Sequence, residues 1–196
     1  MNVQLLTFIP LSCLEEVFPS IGIEELLPHL SYTFAIEKIS RVSSHQLVRH
    51  RVASFSQQSQ RYIRMKRLRE RVVVPPSIND NEEFYSLIQH SSEAYQKLVD
   101  LDVPKEDARF VLPNAAETSL LLTMDGRSMI HFLGLRTCNR AQWEIRMLGD
   151  SMLEQLREVE SRIFNKAGPY CFRLGYCPEG KFTCGHMKEV LEMYSL

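Results

Sequence analysis

At 196 residues the chain suits one domain with a substantial core and is short for two. Its 44% hydrophobic and 24% charged residues are those of an ordinary globular protein, and no stretch approaches the ~20 apolar residues of a membrane-spanning helix. A net charge of −1 argues against a general nucleic-acid binder, and five cysteines without signs of secretion predict free thiols in a reducing cytoplasm.

Met1 to Cys13 is apolar without a basic leader or a small-residue cleavage site, so it does not read as a signal peptide. Within it Val3 to Phe8 has strand character, stopped by Pro10. Ser31 to Ile39 alternates, with Tyr32, Phe34 and Ile36 on one face, and predicts a half-buried strand. Ser40 is placed to cap a helix running through Val42, Gln46 and Arg49, on which Gln46 and Arg49 are neighbours. The chain then leaves the helix, and backbone freer to turn its amides toward a ligand is expected.

Pro75-Pro76 interrupts the chain. Asn81 to Leu101 carries Phe84, Leu87, Ile88, Tyr95 and Leu98 at the spacing of an amphipathic helix. A short helix is expected from Lys105 to Val111, ending before Pro113, and a buried strand from Thr118 to Met124. Asp125 is a good N-cap for the helical pattern beyond it. There Arg127 and His131 are four apart and can face one ligand, whereas Arg136, five beyond His131, lies about 140° away on an ideal helix. For Arg136 to join them the helix should break, and Gly134 with Thr137 to Asn139 is where the break is expected. A further helix is expected from about Arg140 to Asn165, ended by Gly168-Pro169. Helices mixed with non-adjacent strands predict an α+β fold: one domain over residues 1–196, a mixed sheet packed by helices.

The charge is unevenly spread. From Arg49 to Arg71 there are eight Lys or Arg and one acid, Glu70. Serines and glutamines interleave with the arginines, and their hydroxyls and amides can satisfy phosphate oxygens and base edges that the charge attracts. A merely solvated face would more often be Lys-rich with Glu between.

Arg49-His50-Arg51, seven residues, then Ser59, flanked by Gln46-Leu47-Val48 and Gln57-Gln58-Ser59-Gln60-Arg61-Tyr62, resembles the signature of the flavin-dependent thymidylate synthases (thymidylate synthase complementing proteins). Arg127-Ser128, His131-Phe132-Leu133-Gly134-Leu135-Arg136 and Ala141-Gln142-Trp143-Glu144-Ile145 resemble two later blocks of that family, in the same order. The resemblance implies a homotetramer with active sites shared between subunits. It implies methylation of dUMP to dTMP, with methylenetetrahydrofolate as carbon donor, FAD as redox cofactor and NADPH as reductant. Clustered guanidiniums suit the two anionic ligands, because they bind phosphate in a bidentate way and keep their charge.

By the same resemblance, the dUMP-binding set is Gln46, Arg49, Gln57, Ser59, Gln60, Arg61, Arg109 and Arg136. The FAD set is Arg49, His50, Arg51, Gln57, Asp125, Gly126, Arg127 and His131. Arg136 is implied as the catalytic residue, a fixed cation that stabilises the ionised pyrimidine. Ser59 has no recognisable base to activate it and reads as a binding hydroxyl rather than a nucleophile. His50 is open to two readings, a general base or a positioning residue against the flavin. The segment before the first long strand, residues 1–30, is shorter than in most members, and Pro28-His29 stands where a Glu-His pair is expected.

Cys171, Cys177, Cys184 and His186 are weak candidates for a structural zinc site, since their spacings are not the paired two-residue type; simple free thiols are the plainer expectation and no metal is assigned. Two other functions compete with the synthase: a degenerate relative that binds nucleotide without turnover, and an RNA-binding module built on Arg49 to Arg71 with Phe55 and Tyr62 for stacking.

Overall fold

The alternation in the second strand decides which way the sheet faces. Tyr32, Phe34 and Ile36 are fully buried while Thr33 and Ala35 between them are not, so one face carries the core. The computed structural model describes residues 1–195. In chain order the strands and helices are β1 (Asn2–Phe8), α1 (Leu11–Val17), α2 (Ile23–Leu26), β2 (Ser31–Ser40), α3 (Arg41–Leu47), β3 (Ser54–Gln57), α4 (Glu82–Asp100), α5 (Lys105–Ala108), β4 (Glu117–Asp125), α6 (Gly126–Arg136), α7 (Trp143–Val159), α8 (Ser161–Phe164), α9 (Tyr170–Leu174) and α10 (Met187–Tyr194).

The four strands form one sheet in the order β1-β2-β4-β3. The fold is α+β as expected, but the sheet is not mixed: every described strand pair is antiparallel. No helical crossover brings two parallel strands side by side, which a parallel pair requires. A bulge in β2 between Ile36 and Ile39, with Lys38 at φ 56°, turns Ile39 and Ser40 both into the interior. That sets where α3 starts.

On the buried face Phe34, Leu122, Met129, Phe132, Leu148 and Met152 belong to one apolar core shared by sheet, α6 and α7. A second, smaller core forms away from it, where Met65 and Leu68 of the basic loop meet Ile88 and Tyr95 of α4, Ala108 and Ala116. Leu87, expected on the apolar side of α4, is 58% exposed, because the stripe this helix buries runs through Ile88 and Tyr95.

Several boundaries differ from expectation for identifiable reasons. α3 ends at Leu47, so Arg49 lies just beyond it, still linked by its N–H to the Gln46 carbonyl. The middle of the basic motif is not free backbone but β3, paired with β4 at the sheet edge from Ser54–Thr123 to Gln57–Leu120. α6 runs unbroken through Gly134 to Arg136. The last long helix starts at Trp143, where the Gln142 side chain accepts from the Ile145 N–H, and stops at Glu160 rather than reaching Asn165. Glu160 leaves helical geometry (φ −139°, ψ 60°), and its carboxylate accepts the Leu11 N–H at 2.8 Å. No helix of the described residues is long and apolar enough to cross a membrane.

Candidate active site

The site begins at the bulged end of β2. Ser40 is both the last strand residue and the N-cap of α3: its Oγ accepts the Ser43 N–H at 3.0 Å. Ser40 is held in turn by Glu144 in the first turn of α7, whose carboxylate accepts the Ser40 N–H at 2.6 Å and its hydroxyl. Glu144 is only 2% exposed, and an anion there is compatible with folding because both oxygens accept hydrogen bonds. Its place near a helix N-terminus also favours negative charge. Thus α7 fixes the start of α3, and α3 in turn places Gln46, Arg49 and His50.

His50 is 7% exposed, edge-on to Phe132 with ring centroids 5.0 Å apart, and beside His131 at 6.3 Å. Its Nε2 accepts a hydrogen bond from Arg136 Nε at 2.9 Å. Burial, then the charge of Arg136, then His131 push the His50 pKa down to about 4. A neutral imidazole is what that hydrogen bond requires, because a protonated ring has no lone pair to offer. Arg136 is half-buried, and its Nη2 also donates to the Gln46 carbonyl at 3.4 Å. Burial lowers its pKa, yet a guanidinium stays charged at any working pH. So Arg136 joins His131 without a break at Gly134, the helix ending only after Arg136; the long side chain curls to His50, and His50 adjoins both. Arg127, four residues before His131, instead donates from NH2 to the Glu24 carbonyl at 3.1 Å.

A second group of sequence-predicted residues lies on the basic loop and α5. Arg61 Nε pairs with Glu106 at 2.9 Å with both side chains about half exposed (52% and 50%). Arg109 Nε donates to the Glu106 carbonyl at 3.0 Å, and Lys105 Nζ to the Tyr62 carbonyl at 3.1 Å. Ser59 Oγ accepts the Arg61 N–H at 3.3 Å, while Gln60 Nε2 is buried with no partner among the described residues. An orphaned amide donor next to Arg61 is a place where a ligand oxygen would restore a lost hydrogen bond. Gln57 is turned inward: its Nε2 lies 3.1 Å from both Ser44 Oγ and Thr118 Oγ1, leaving only the amide oxygen for a ligand.

The remaining candidates divide by chemistry. Arg49 and Arg51 are exposed, with no side-chain hydrogen bond or ion pair among the described residues. The Asp125 carboxylate is engaged by its own helix, accepting from the Ser128 N–H at 2.8 Å and hydroxyl at 2.6 Å. At buried Gly126 a Cβ would come within 2.8 Å of the Leu27 carbonyl oxygen, so only glycine allows the 3₁₀ turn of Leu27–His29 to approach the start of α6. Among the described residues no three His, Cys, Asp or Glu gather closely enough to hold a metal ion. Cys171 and Cys177 line a cleft of about 190 Å³ with Cys138, beside Arg136, whereas His186 pairs with Glu189 at 3.5 Å. Burial raises the Cys171 pKa.

Three residues at this site were missed in the sequence. Arg41 is half-buried, in contact with His45 (3.2 Å), and feels the charge of Arg109. Its signal was legible: a cation in the first turn of a helix opposes the helix dipole and calls for another reason to be there. Glu144 stood in one of the motif blocks, but only the fold shows its bond to Ser40. Tyr170, whose hydroxyl is 2.6 Å from His131 Nδ1, had no signal in the sequence.

The family model described as "Thymidylate synthase complementing protein" matches residues 12–160. The chain is 52% identical over 179 residues to a flavin-dependent thymidylate synthase of Geobacter sulfurreducens, covering 89% of this chain and 77% of that one. It is 40% identical over 195 residues to the enzyme of the same description from Clostridium tetani, with the same coverage. In three dimensions it is similar to thymidylate synthase X of Helicobacter pylori, a structure solved with FAD and dUMP, at a TM-score of 0.69 and 23% identity, covering 84% of this chain and 97% of that one. That last likeness carries the fold.

Proposed function

The chain belongs to the thymidylate synthase complementing protein family, and from that premise we propose its function in full: it is a flavin-dependent thymidylate synthase. It methylates dUMP to dTMP, using methylenetetrahydrofolate as carbon donor and NADPH as reductant, with FAD as its cofactor. The observation that carries the mechanism is the way Arg136 is held. Two neutral acceptors, the His50 imidazole and the Gln46 carbonyl, orient its guanidinium without neutralising it. The Nη1 edge has no partner among the described residues and is left to a ligand. A cation fixed in advance, half-shielded from water, is suited to hold negative charge developing on a pyrimidine ring. In this reading His50 is a positioning residue: its acceptor nitrogen is occupied by Arg136 and its basicity is low.

Arg61, Arg109, Ser59 and Gln60 bind the nucleotide, with Arg61 giving up Glu106 for phosphate. Gln46 and Gln57 complete the set, Gln57 through its amide oxygen. Arg49, exposed and without a side-chain partner among the described residues, would serve both ligands. Arg51, Arg127 and His131 hold FAD, and a donor set of exposed guanidiniums fits an anionic dinucleotide. When bound, FAD supplies the redox capacity of the reaction; the residues above supply binding and orientation. Asp125 and Gly126 serve that site indirectly, by capping α6 and by letting the N-terminal segment close on it.

The whole chain works as one domain in a cytoplasmic homotetramer. Support for self-association comes from the open face of the sheet, where the rows Thr7–Thr33–Thr123–Ser54 and Gln4–Ala35–Leu121–Ser56 carry no charge. Exposed Leu6 and Phe110 add apolar surface.

The test is the visible spectrum of purified protein incubated with FAD and freed of excess cofactor, combined with a dTMP assay. A retained flavin band that bleaches with NADPH and shifts with dUMP, together with dTMP formation, is expected. Retained dUMP binding with no flavin and no dTMP would overturn the assignment in favour of a nucleotide-binding relative.

A further inference from the structure

Beyond the residues that the family model matches, the chain returns to the site through α9. Pro169 precedes the helix, and Tyr170 at its start lies against α6. A Cβ on Gly134 would come within 2.9 Å of Tyr170 Cζ and 3.0–3.1 Å of its Cε atoms, so the glycine makes room for this ring inside a helix that continues past it. The Arg173 guanidinium, 5.9 Å from the ring centroid, covers the same ring. The hydroxyl meets His131 Nδ1 at 2.6 Å, its sole polar partner among the described residues.

We propose that Tyr170 is a positioning residue for His131, fixing its tautomer and ring direction so that Nε2 carries the proton and presents an N–H donor to an anionic ligand. The donor assignment rests on the chemistry of the two groups. Among the described residues the phenol hydrogen has no acceptor other than Nδ1, so donating to that nitrogen is the arrangement that keeps it bonded within the protein. In a neutral imidazole that leaves Nε2 as the N–H, whereas the reverse arrangement would turn a lone pair toward an anion. The ligand class is a phosphate or pyrophosphate oxygen of a dinucleotide, which rests on placing His131 in the flavin-binding set. The consequence passes further, since the His131 ring sits beside His50, and His50 holds Arg136. A tyrosine contributed by the C-terminal segment therefore braces one wall of a site whose other residues all lie before it in the chain.

The test combines imidazole ¹⁵N spectra of His131 in the wild-type protein with FAD titrations of wild type, Tyr170→Phe and His131→Ala. The wild type is expected to show the Nε2–H tautomer. Tyr170→Phe keeps the ring against Gly134 and thus the melting temperature, but lets His131 sample both tautomers and weakens FAD about tenfold, as for one lost orienting hydrogen bond. An Nδ1–H tautomer in the wild type, or unchanged FAD affinity in Tyr170→Phe where His131→Ala weakens it, overturns the proposal. If His131→Ala leaves FAD affinity unchanged, it is the flavin-binding role of His131 that fails, and the ¹⁵N spectra alone decide the role of Tyr170. They also decide it should Tyr170→Phe fail to fold.

Discussion

Arg136 and Arg61 are held by opposite means. Arg136 is half-buried and bound to an imidazole nitrogen and a carbonyl, which direct it while leaving its charge uncompensated. Arg61 is half-exposed and paired with the Glu106 carboxylate, which neutralises it until something displaces that partner. The two arginines are therefore suited to different work. Neutral acceptors give a preorganised cation for charge that develops during a reaction, while a solvent-screened ion pair gives an exchangeable anchor for charge already on the ligand.

The contrast breaks most visibly at Arg136. Arg136→Ala should lower the rate of dTMP formation by roughly 10²–10³-fold, as for loss of one fixed stabilising donor, with folding and flavin retention intact. Steady-state turnover beside the flavin spectrum checks this; wild-type turnover would remove Arg136 from its role. The frame of the inner arginine is the next target. Glu144→Ala leaves the buried Ser40 N–H and hydroxyl without their acceptor, so a destabilisation of about 3 kcal/mol is expected, read by urea unfolding. A change below about 0.5 kcal/mol, the scale of an ordinary surface substitution, would show that α3 is fixed by something other than this carboxylate.

Titration separates the inner site from the outer one. His50 binds its proton less readily in the folded chain, with its pKa pushed down to about 4 from an ordinary value near 6.5. Between those values the unfolded state holds more protons, so stability is complete above about pH 6.5 and falls as pH drops toward 4, by roughly 3 kcal/mol. His50→Gln, which keeps an acceptor but cannot titrate, should flatten that part of the stability–pH curve. An equal slope in the variant would assign the effect to other groups. At the outer pair the expected effect is smallest and of opposite sign. Glu106→Gln frees Arg61 from its competitor and should tighten dUMP about threefold, consistent with the modest strength of an exposed pair. Weaker dUMP binding measured by calorimetry would mean that Glu106 orients Arg61 rather than competing for it.

Much of the chain was legible because local chemistry and tertiary role agree. Ser40 and Asp125 cap the helices they were expected to cap, since a short polar side chain before an apolar repeat has few better uses. The alternation of Tyr32, Phe34 and Ile36 identified a one-sided strand. The site residues were gathered by resemblance rather than by spacing, and there local reasoning misjudged the geometry. A helix break at Gly134 was expected because an ideal helix separates His131 from Arg136, but a long guanidinium side chain and a bridging His50 span the angle. Gly134 is explained by a neighbour far along the chain, the ring of Tyr170.

The family, the α+β class, the main strands and helices and the concentration of charge between Arg49 and Arg71 could all be read from the amino-acid sequence, because each depends on residue order and local periodicity. It took the folded chain to establish that the sheet is antiparallel, that Gln57 turns its amide nitrogen inward, that Glu144 anchors Ser40, and that Arg136 is aimed by a neutral histidine. These depend on contacts between residues far apart in the chain, where burial and hydrogen-bond geometry set both orientation and charge, and no local pattern encodes them.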